Sequence, residues 1–275
     1  MKKLEHSLTN DILFKMYFVK HPDLLKILIA EFLGIPYNEI TQFQITNTEM
    51  TPEYVGDKFC KLDISMIVNG KRVNLEVQVA DEGNYPERSL YHWAKMYSTA
   101  LGEGSNYDEL PATITINIID FVLFDCEEFH SEFHILEVNR HTRLSDKFAK
   151  HFYELKKLPP LTSEDSIKDM WLKLFRAKTE EELEKIKALG VSIMTQAVEA
   201  FGRVATSKEF RELERVRSKA RHDEAQAIYT AEKRGEKRGE ERANAKWQET
   251  IADKDAEIAL LQAELEKIRA AHGND

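Results

Sequence analysis

Residues 58–80 read KFCKLDISMIVNGKRVNLEVQVA. Two alternating stretches flank Asn69-Gly70, and Asn-Gly at that point is the strongest short-range signal for a β-hairpin. A two-residue type I′ turn needs positive φ at both central positions, which Asn and Gly tolerate. The turn sets the register, so cross-strand partners carry numbers that sum to 139: Val68 faces Lys71, Met66 faces Val73, Ile64 faces Leu75 and Asp63 faces Glu76. Alternation then divides the side chains between two faces. Leu62, Ile64, Met66, Val73, Leu75, Val77 and Val79 point toward a core; Lys61, Asp63, Ser65, Asn74, Glu76 and Gln78 point the other way.

Counted outward from the turn, Asp63 and Glu76 form a non-hydrogen-bonded pair, with Cβ atoms roughly 4.5–5.5 Å apart. Two carboxylates that close repel each other. Two arrangements relieve the repulsion. A divalent cation such as Mg²⁺ is held by one or two carboxylates while keeping several waters; alternatively, Lys61 and Arg72 neutralise a solvated strand face.

Asp63, a twelve-residue gap and then Glu76-Val77-Gln78 resembles the D…(D/E)-x-K pattern of PD-(D/E)XK nucleases, with Gln78 where that pattern has Lys. The substitution and its surroundings are similar to the Rpn family of recombination-promoting nucleases, also described as PD-(D/E)XK nuclease family transposases. Four further stretches carry the likeness across residues 7–160: Asn10-Asp11…Phe14-Lys15, Arg88…Tyr91, Gly102-Glu103-Gly104…Tyr107 and Glu154-Leu155-Lys156-Lys157. The resemblance implies a restriction-endonuclease-like α/β core with a mixed sheet flanked by helices. It implies a Mg²⁺- or Mn²⁺-dependent DNA endonuclease linked to recombination, mobile elements or phage defence. Asp63 and Glu76 would hold the metal with the Val77 carbonyl, and Gln78 would complete the catalytic set. Arg88 and Lys61 would meet DNA phosphates, and Glu31 and Glu49 would be accessory acids. Each has a plainer reading: Arg88 pairs with Asp81 or Glu87, Glu31 is a solvated helix residue, and Glu49 is an edge residue. The uncharged Gln78 leaves open a second function, a catalytically degenerate nuclease fold that binds DNA or protein.

Composition bounds these readings. The chain has 275 residues, 42% hydrophobic and 32% charged, with net charge −9. That balance argues against binding nucleic acid through bulk positive charge, so a nuclease needs a local basic patch. Residues 207–275 hold 15 Lys/Arg against 16 Asp/Glu, so the acidity lies in the first three quarters. Cys60 and Cys126 are too isolated to suggest a disulfide or metal site. No signal-peptide core and no run near ~18 apolar residues is present, so a cytoplasmic setting without membrane contact is expected.

Along the chain, residues 7–34 read as two helices, with cap chemistry at Ser7, Thr9 and Asn10, Pro22 at a first turn and Gly34 at a C-cap. Residues 40–50 read as a strand. Residues 87–101 read as a helix burying Leu90, Ala94, Tyr97 and Leu101, with Tyr91 more for packing than chemistry. The apolar, β-branched run at 112–124 suits a strand covered on both faces. His130, Glu132 and His134 lack the H-E-x-x-H spacing of a zinc helix and read as surface residues of a strand over 129–138. Pro159-Pro160 marks a boundary. Residues 161–206 read as a helical region, with starts at Ser163-Glu164-Asp165 and at the Thr179…Glu182 capping box. Trp171, Leu172, Leu174 and Phe175 form its patch for the core. Residues 207–275 read as a long charged helix. Trp247, Ile251, Lys254, Ile258, Leu261, Leu265 and Ile268 fall on heptad positions, which predicts a coiled coil and a homo-oligomer formed through it. A single solvated helix is the plainer reading. The organisation expected is 1–160 nuclease-like, 161–206 helical and 207–275 coiled coil.

Overall fold

The computed structural model describes residues 2–46, 64–102, 104 and 106–272. Six strands form one mixed sheet: β1 (Phe43–Ile45), β2 (Ile64–Val68), β3 (Lys71–Gln78), β4 (Thr113–Ile119), β5 (His130–Phe133) and β6 (Phe148–Glu154), in the spatial order β1-β2-β3-β4-β6-β5. The inner strands β3, β4 and β6 are parallel; β1, β2 and β5 pair antiparallel at the two sides. The helices are α1 (Asp11–Lys20), α2 (Pro22–Leu33), α3 (Tyr85–Ser98), α4 (Ile167–Arg176), α5 (Glu180–Ala188), α6 (Ser192–Ala205) and α7 (Lys208–His272).

The hairpin has the register that the turn demands. Ile64 pairs with Leu75, Met66 with Val73 and Val68 with Lys71, and φ is +46° at Asn69 and +77° at Gly70. Asn69 also fastens the turn to the chain before β1. Its Oδ1 accepts from the Thr41 and Gln42 amides at 3.0 Å each, and its Nδ2 donates to the Glu39 carbonyl at 2.8 Å. Core positions follow the expected alternation up to Val77, but Val79 is 55% exposed because β3 ends at Gln78.

The two sheet faces are covered differently. Ile64, Met66, Val73, Leu75, Ile116, Ile118 and Tyr153 share one core with α1, α2, α4, α5, α6 and Phe210 of α7. Phe14 and Phe18 pack on Phe175, Phe18 on Trp171, and Phe32 stacks on Tyr153 at 4.8 Å. α3 covers the opposite face over a smaller cluster of Tyr85, Ile119, Phe121 and Phe152. Covered on both sides, β4 is buried at every position.

Three expectations need correction. α3 begins at Tyr85, with Pro86 in its first turn, and it buries Tyr85, Ser89 and Trp93; Leu90 and Tyr91 are exposed. The sheet beneath α3 is polar, so the helix turns hydroxyl and indole groups toward it, and Trp93 Nε1 donates to the Thr113 carbonyl at 2.8 Å. α4 begins at Ile167, capped by Ser166 in a box with Asp169; Asp165 instead binds Thr162 and pairs with Lys173. Residues 148–154, not read as a strand in sequence, form β6. The other boundary signals hold: Asn10 caps α1, Gly34 ends α2 at φ +63°, and Thr179 and Glu182 box α5.

The chain divides into two units, Met1–Arg215 and Val216–Asp275. The second is helical, and its heptad residues Trp247, Ile251, Ile258, Leu261 and Leu265 are exposed. Among the described residues, no helix is long and apolar enough to cross a membrane.

The turn carries a measurable share of stability. Gly70→Ala leaves open space around the new Cβ but retains the positive φ, and is expected to cost about 1 kcal/mol. Asn69→Ala adds the loss of three hydrogen bonds and should cost roughly 2–3 kcal/mol. Urea unfolding midpoints of the two variants, at unchanged slope, check this order.

Candidate active site

Parallel pairing carries side chains across the sheet in rows. Glu76, Asn117 and Phe152 form one row, and Asn74, Thr115 and Lys150 the next. Ser65 extends the second row through β2, with its hydroxyl 2.8 Å from Asn74 Oδ1. These residues face α3. β4 therefore alternates Thr113, Thr115 and Asn117 toward α3 with Ile114, Ile116 and Ile118 toward the main core.

Asn74, Thr115, Asn117 and Lys150 are all buried. Interior polar groups persist where hydrogen bonds or function hold them. Asn117 is fully engaged: its Oδ1 accepts from the Tyr85 hydroxyl at 3.2 Å, and its Nδ2 donates to the His151 carbonyl at 2.8 Å. Lys150 Nζ and Thr115 Oγ1, by contrast, are buried without a hydrogen-bond partner among the described residues. The ammonium lies 5.6 Å from the centroid of the Phe152 ring. Burial pushes Lys150 down from 10.5 to about 8, and the negative charge of Glu76 works against that shift.

Glu76 is half-buried on β3. Gln78 lies two residues on, and its Nε2 donates to the Ala80 carbonyl at 3.0 Å. The Gln78 backbone carbonyl accepts from the Asp120 amide at 2.9 Å on the β4 side. Backbone groups alternate in direction along a strand, so the Val77 carbonyl turns to the β2 side. A carboxylate and a carbonyl are hard oxygen donors of the kind that Mg²⁺ and Mn²⁺ take, and this donor chemistry fits a divalent ion. Arg72 does not neutralise the face; its guanidinium donates to the Met96 and Thr99 carbonyls at the end of α3, at 3.2 and 3.4 Å.

Of the other expected site residues, Arg88 of α3 lies over the Tyr85 ring at 5.1 Å and pairs with Glu82 at 2.7 Å, an acid that sequence reasoning did not name. Glu31 is half-buried on α2, in the helical layer over the Leu75 face rather than over the Glu76 face. Asp63, Lys61 and Glu49 lie outside the described residues. The structure thus gathers Glu76, Gln78 and the Val77 carbonyl on one strand and adds Asn74, Asn117, Tyr85 and Lys150 to their neighbourhood. Sequence reasoning set Asn74 on this face without a role in the site and missed Asn117, Tyr85 and Lys150. Thr113-x-Thr115-x-Asn117 was a readable signal: a polar period of two inside a run otherwise apolar. Lys150 gave none until residues 148–154 were known to be a strand.

The Glu154 motif is structural. Glu154 is buried, its Oε1 accepts from the Leu123 amide at 2.6 Å, and its Oε2 accepts from Lys157 at 2.7 Å. It therefore closes the loop that follows β4 onto the end of β6.

On the opposite face, burial lowers His130 below its usual range and brings His151 to about 4, with Glu132 pulling His151 upward.

A mixed sheet between helices, with a carboxylate and an E-x-Q segment on a central strand, defines a nuclease-like α/β core. Residues 8–231 match the family model described as PD-(D/E)XK nuclease family transposase. The chain belongs to that family, and the match runs beyond residue 160 through α4, α5 and α6 into α7. No curated protein and no solved structure matches it.

Because Lys150 titrates lower in the fold than in the unfolded chain, unfolding takes up a proton between about pH 8 and the ordinary lysine value of 10.5. Stability rises with pH through that window and carries the cost of the buried charge below it. Lys150→Met is expected to raise unfolding free energy by roughly 3 kcal/mol at pH 7, with the gain fading toward pH 10.5. Urea unfolding across pH 7–11 (~0.5-unit steps resolve the window) measures both.

Proposed function

We propose that the protein is a divalent-metal-dependent DNA endonuclease acting in recombination, element mobility or phage defence, in a cytoplasmic setting. Family membership supplies the nuclease and mobile-element class. The observation that carries the reading is the buried Lys150 ammonium, which has no hydrogen-bond partner among the described residues and lies on the same sheet face as Glu76. A folded domain keeps such a charge at a cost, and a phosphodiester supplies the anion that offsets it.

In this reading Glu76, the Val77 carbonyl and Asp63 hold Mg²⁺ or Mn²⁺. When bound, the ion stabilises charge on the phosphate and lowers the pKa of an attacking water. The water oxygen bonds to phosphorus and gives its proton to solvent, while the bond to the leaving sugar oxygen breaks and that oxygen takes up a proton from solvent. Lys150 stands in for the positive charge that Gln78 lacks, stabilising the crowded negative charge of the transition state. Gln78 is tied to Ala80 through its amide nitrogen and keeps an oxygen with which to orient a water. Tyr85 and Asn117 fix the floor of the site. Arg88 exchanges Glu82 for a phosphate, which a planar guanidinium grips bidentately, and Lys61 adds a second phosphate contact. Glu31 and Glu49 are accessory acids at most. The exposed heptad residues of α7 pair two copies, which presents two sites for the two DNA strands.

The engagement of the Gln78 amide favours a second reading, a fold that binds DNA without cutting it. Plasmid cleavage in Mg²⁺ separates the two. Wild type is expected to nick or linearise supercoiled DNA. Asp63→Ala, Glu76→Ala and Lys150→Met should each reduce the rate at least ~100-fold, as loss of a charge-stabilising group does, with Lys150→Met more stable than wild type. No cleavage by wild type, with DNA still retarded in a gel, establishes the second reading; unchanged cutting by Glu76→Ala removes the site. Light scattering tests the pairing: deletion of residues 240–275 should halve the particle mass, and an unchanged mass removes that role.

A further inference from the structure

The sheet face turned away from Glu76 carries an independent cluster. On β5, His130 and Glu132 alternate to one side, and antiparallel pairing sets Glu132 opposite His151 and His130 opposite Tyr153 of β6. His130 Nε2 and His151 Nδ1 lie 3.2 Å apart, and Glu132 Oε2 lies 4.0 Å from His151 Nδ1. One donor atom from each of the three falls within 4.8 Å of the others; among the described residues, no other His/Cys/Asp/Glu group of this size does so.

The spacing has a chemical meaning. Two nitrogens bound to tetrahedral Zn²⁺ at about 2.0–2.1 Å stand about 3.3–3.4 Å apart. The two rings already hold nearly that edge. Glu132 is the exposed member of the three, and rotation of its carboxylate shortens the 4.0 Å between its Oε2 and His151 Nδ1 toward the same tetrahedral edge.

The rings are also braced in place. His130 stacks on Tyr153 at 4.4 Å with only 5° between planes, and the His151 ring lies nearly parallel to both. Glu132 is oriented from behind: its Oε1 is 2.5 Å from His134 Nε2, and the other nitrogen of His134 lies 2.9 Å from the Phe148 carbonyl. Outer partners of this kind fix the direction of metal ligands. Lys168 of α4 places one positive charge in the field of both rings, and Glu132 offsets it.

We propose that His130, Glu132 and His151 bind a transition-metal ion of the Zn²⁺ class, with His134 orienting the carboxylate. Two imidazoles and a carboxylate select such an ion over Mg²⁺. The fourth position is left to solvent at the sheet edge. The ion ties β5, a four-residue edge strand, to β6. The site is separate from the nuclease centre and does not depend on cleavage.

The test uses the full chain, stripped with chelator and titrated with CoCl₂. Wild type is expected to bind Co²⁺ with the visible d–d bands of one tetrahedral site, to lose them on addition of ZnCl₂, and to melt at higher temperature with Zn²⁺. His130→Phe keeps a ring on Tyr153 but offers no nitrogen, and Glu132→Gln keeps the shape without the charge. Each should abolish the bands and weaken Zn²⁺ binding at least ~10-fold, with far-ultraviolet circular dichroism unchanged. Glu76→Ala should keep the bands. Their absence from wild type, their persistence in both β5 variants, or their loss in Glu76→Ala would each overturn the proposal.

Discussion

Left-handed backbone at two consecutive residues, Asn69 and Gly70, governs this molecule. Only a two-residue reversal of that hand lets β2 and β3 pair with the native sheet twist. A slip of one residue would turn Met66, Val73 and Leu75 outward and bring Glu76 into the apolar core. The side-chain amide of Asn69 reinforces the choice by binding three backbone groups between Glu39 and Gln42. Because β4 and β6 align in parallel on β3, the setting of one hairpin passes to every row across the sheet.

What those rows contain is costly. A helix packed over valine and isoleucine would be more stable than one packed over Thr113, Thr115, Asn117 and Lys150. Asn117 is repaid by two hydrogen bonds, Lys150 and Thr115 by none among the described residues. Local rules are broken chiefly on the α3 face; on the other, forty of the described residues form one apolar cluster, and the polar His130, Glu132 and His151 are confined to its β5 margin. Violations gathered on one side of one sheet are the mark of a surface shaped for chemistry rather than for stability.

The parts legible in sequence were those whose physics is local. The Asn-Gly turn, the glycine ending α2, the Thr179 box and the apolar run of β4 each act through neighbours a few residues away. Illegible parts depended on pairing across long separations. Residues 148–154 mix Lys, His and Glu with aromatics, and nothing in that stretch announces a strand until β4 and β5 lie beside it. With β6 unseen, neither Lys150 beside Thr115 nor His151 beside Glu132 could be anticipated; His130, Glu132 and His134 read as a surface set because their partner was 17–21 residues away on another strand. The buried stripe of α3 was misplaced for a related reason. Helical periodicity assumes an apolar bed, and this bed is polar.

The sheet is also finished differently at its margins than in its middle. β1 has three residues and β5 four, while β3 has eight. Outer strands this short offer little template for a foreign strand to add to. Growth of the sheet by adding a foreign strand is thereby disfavoured at both of its ends.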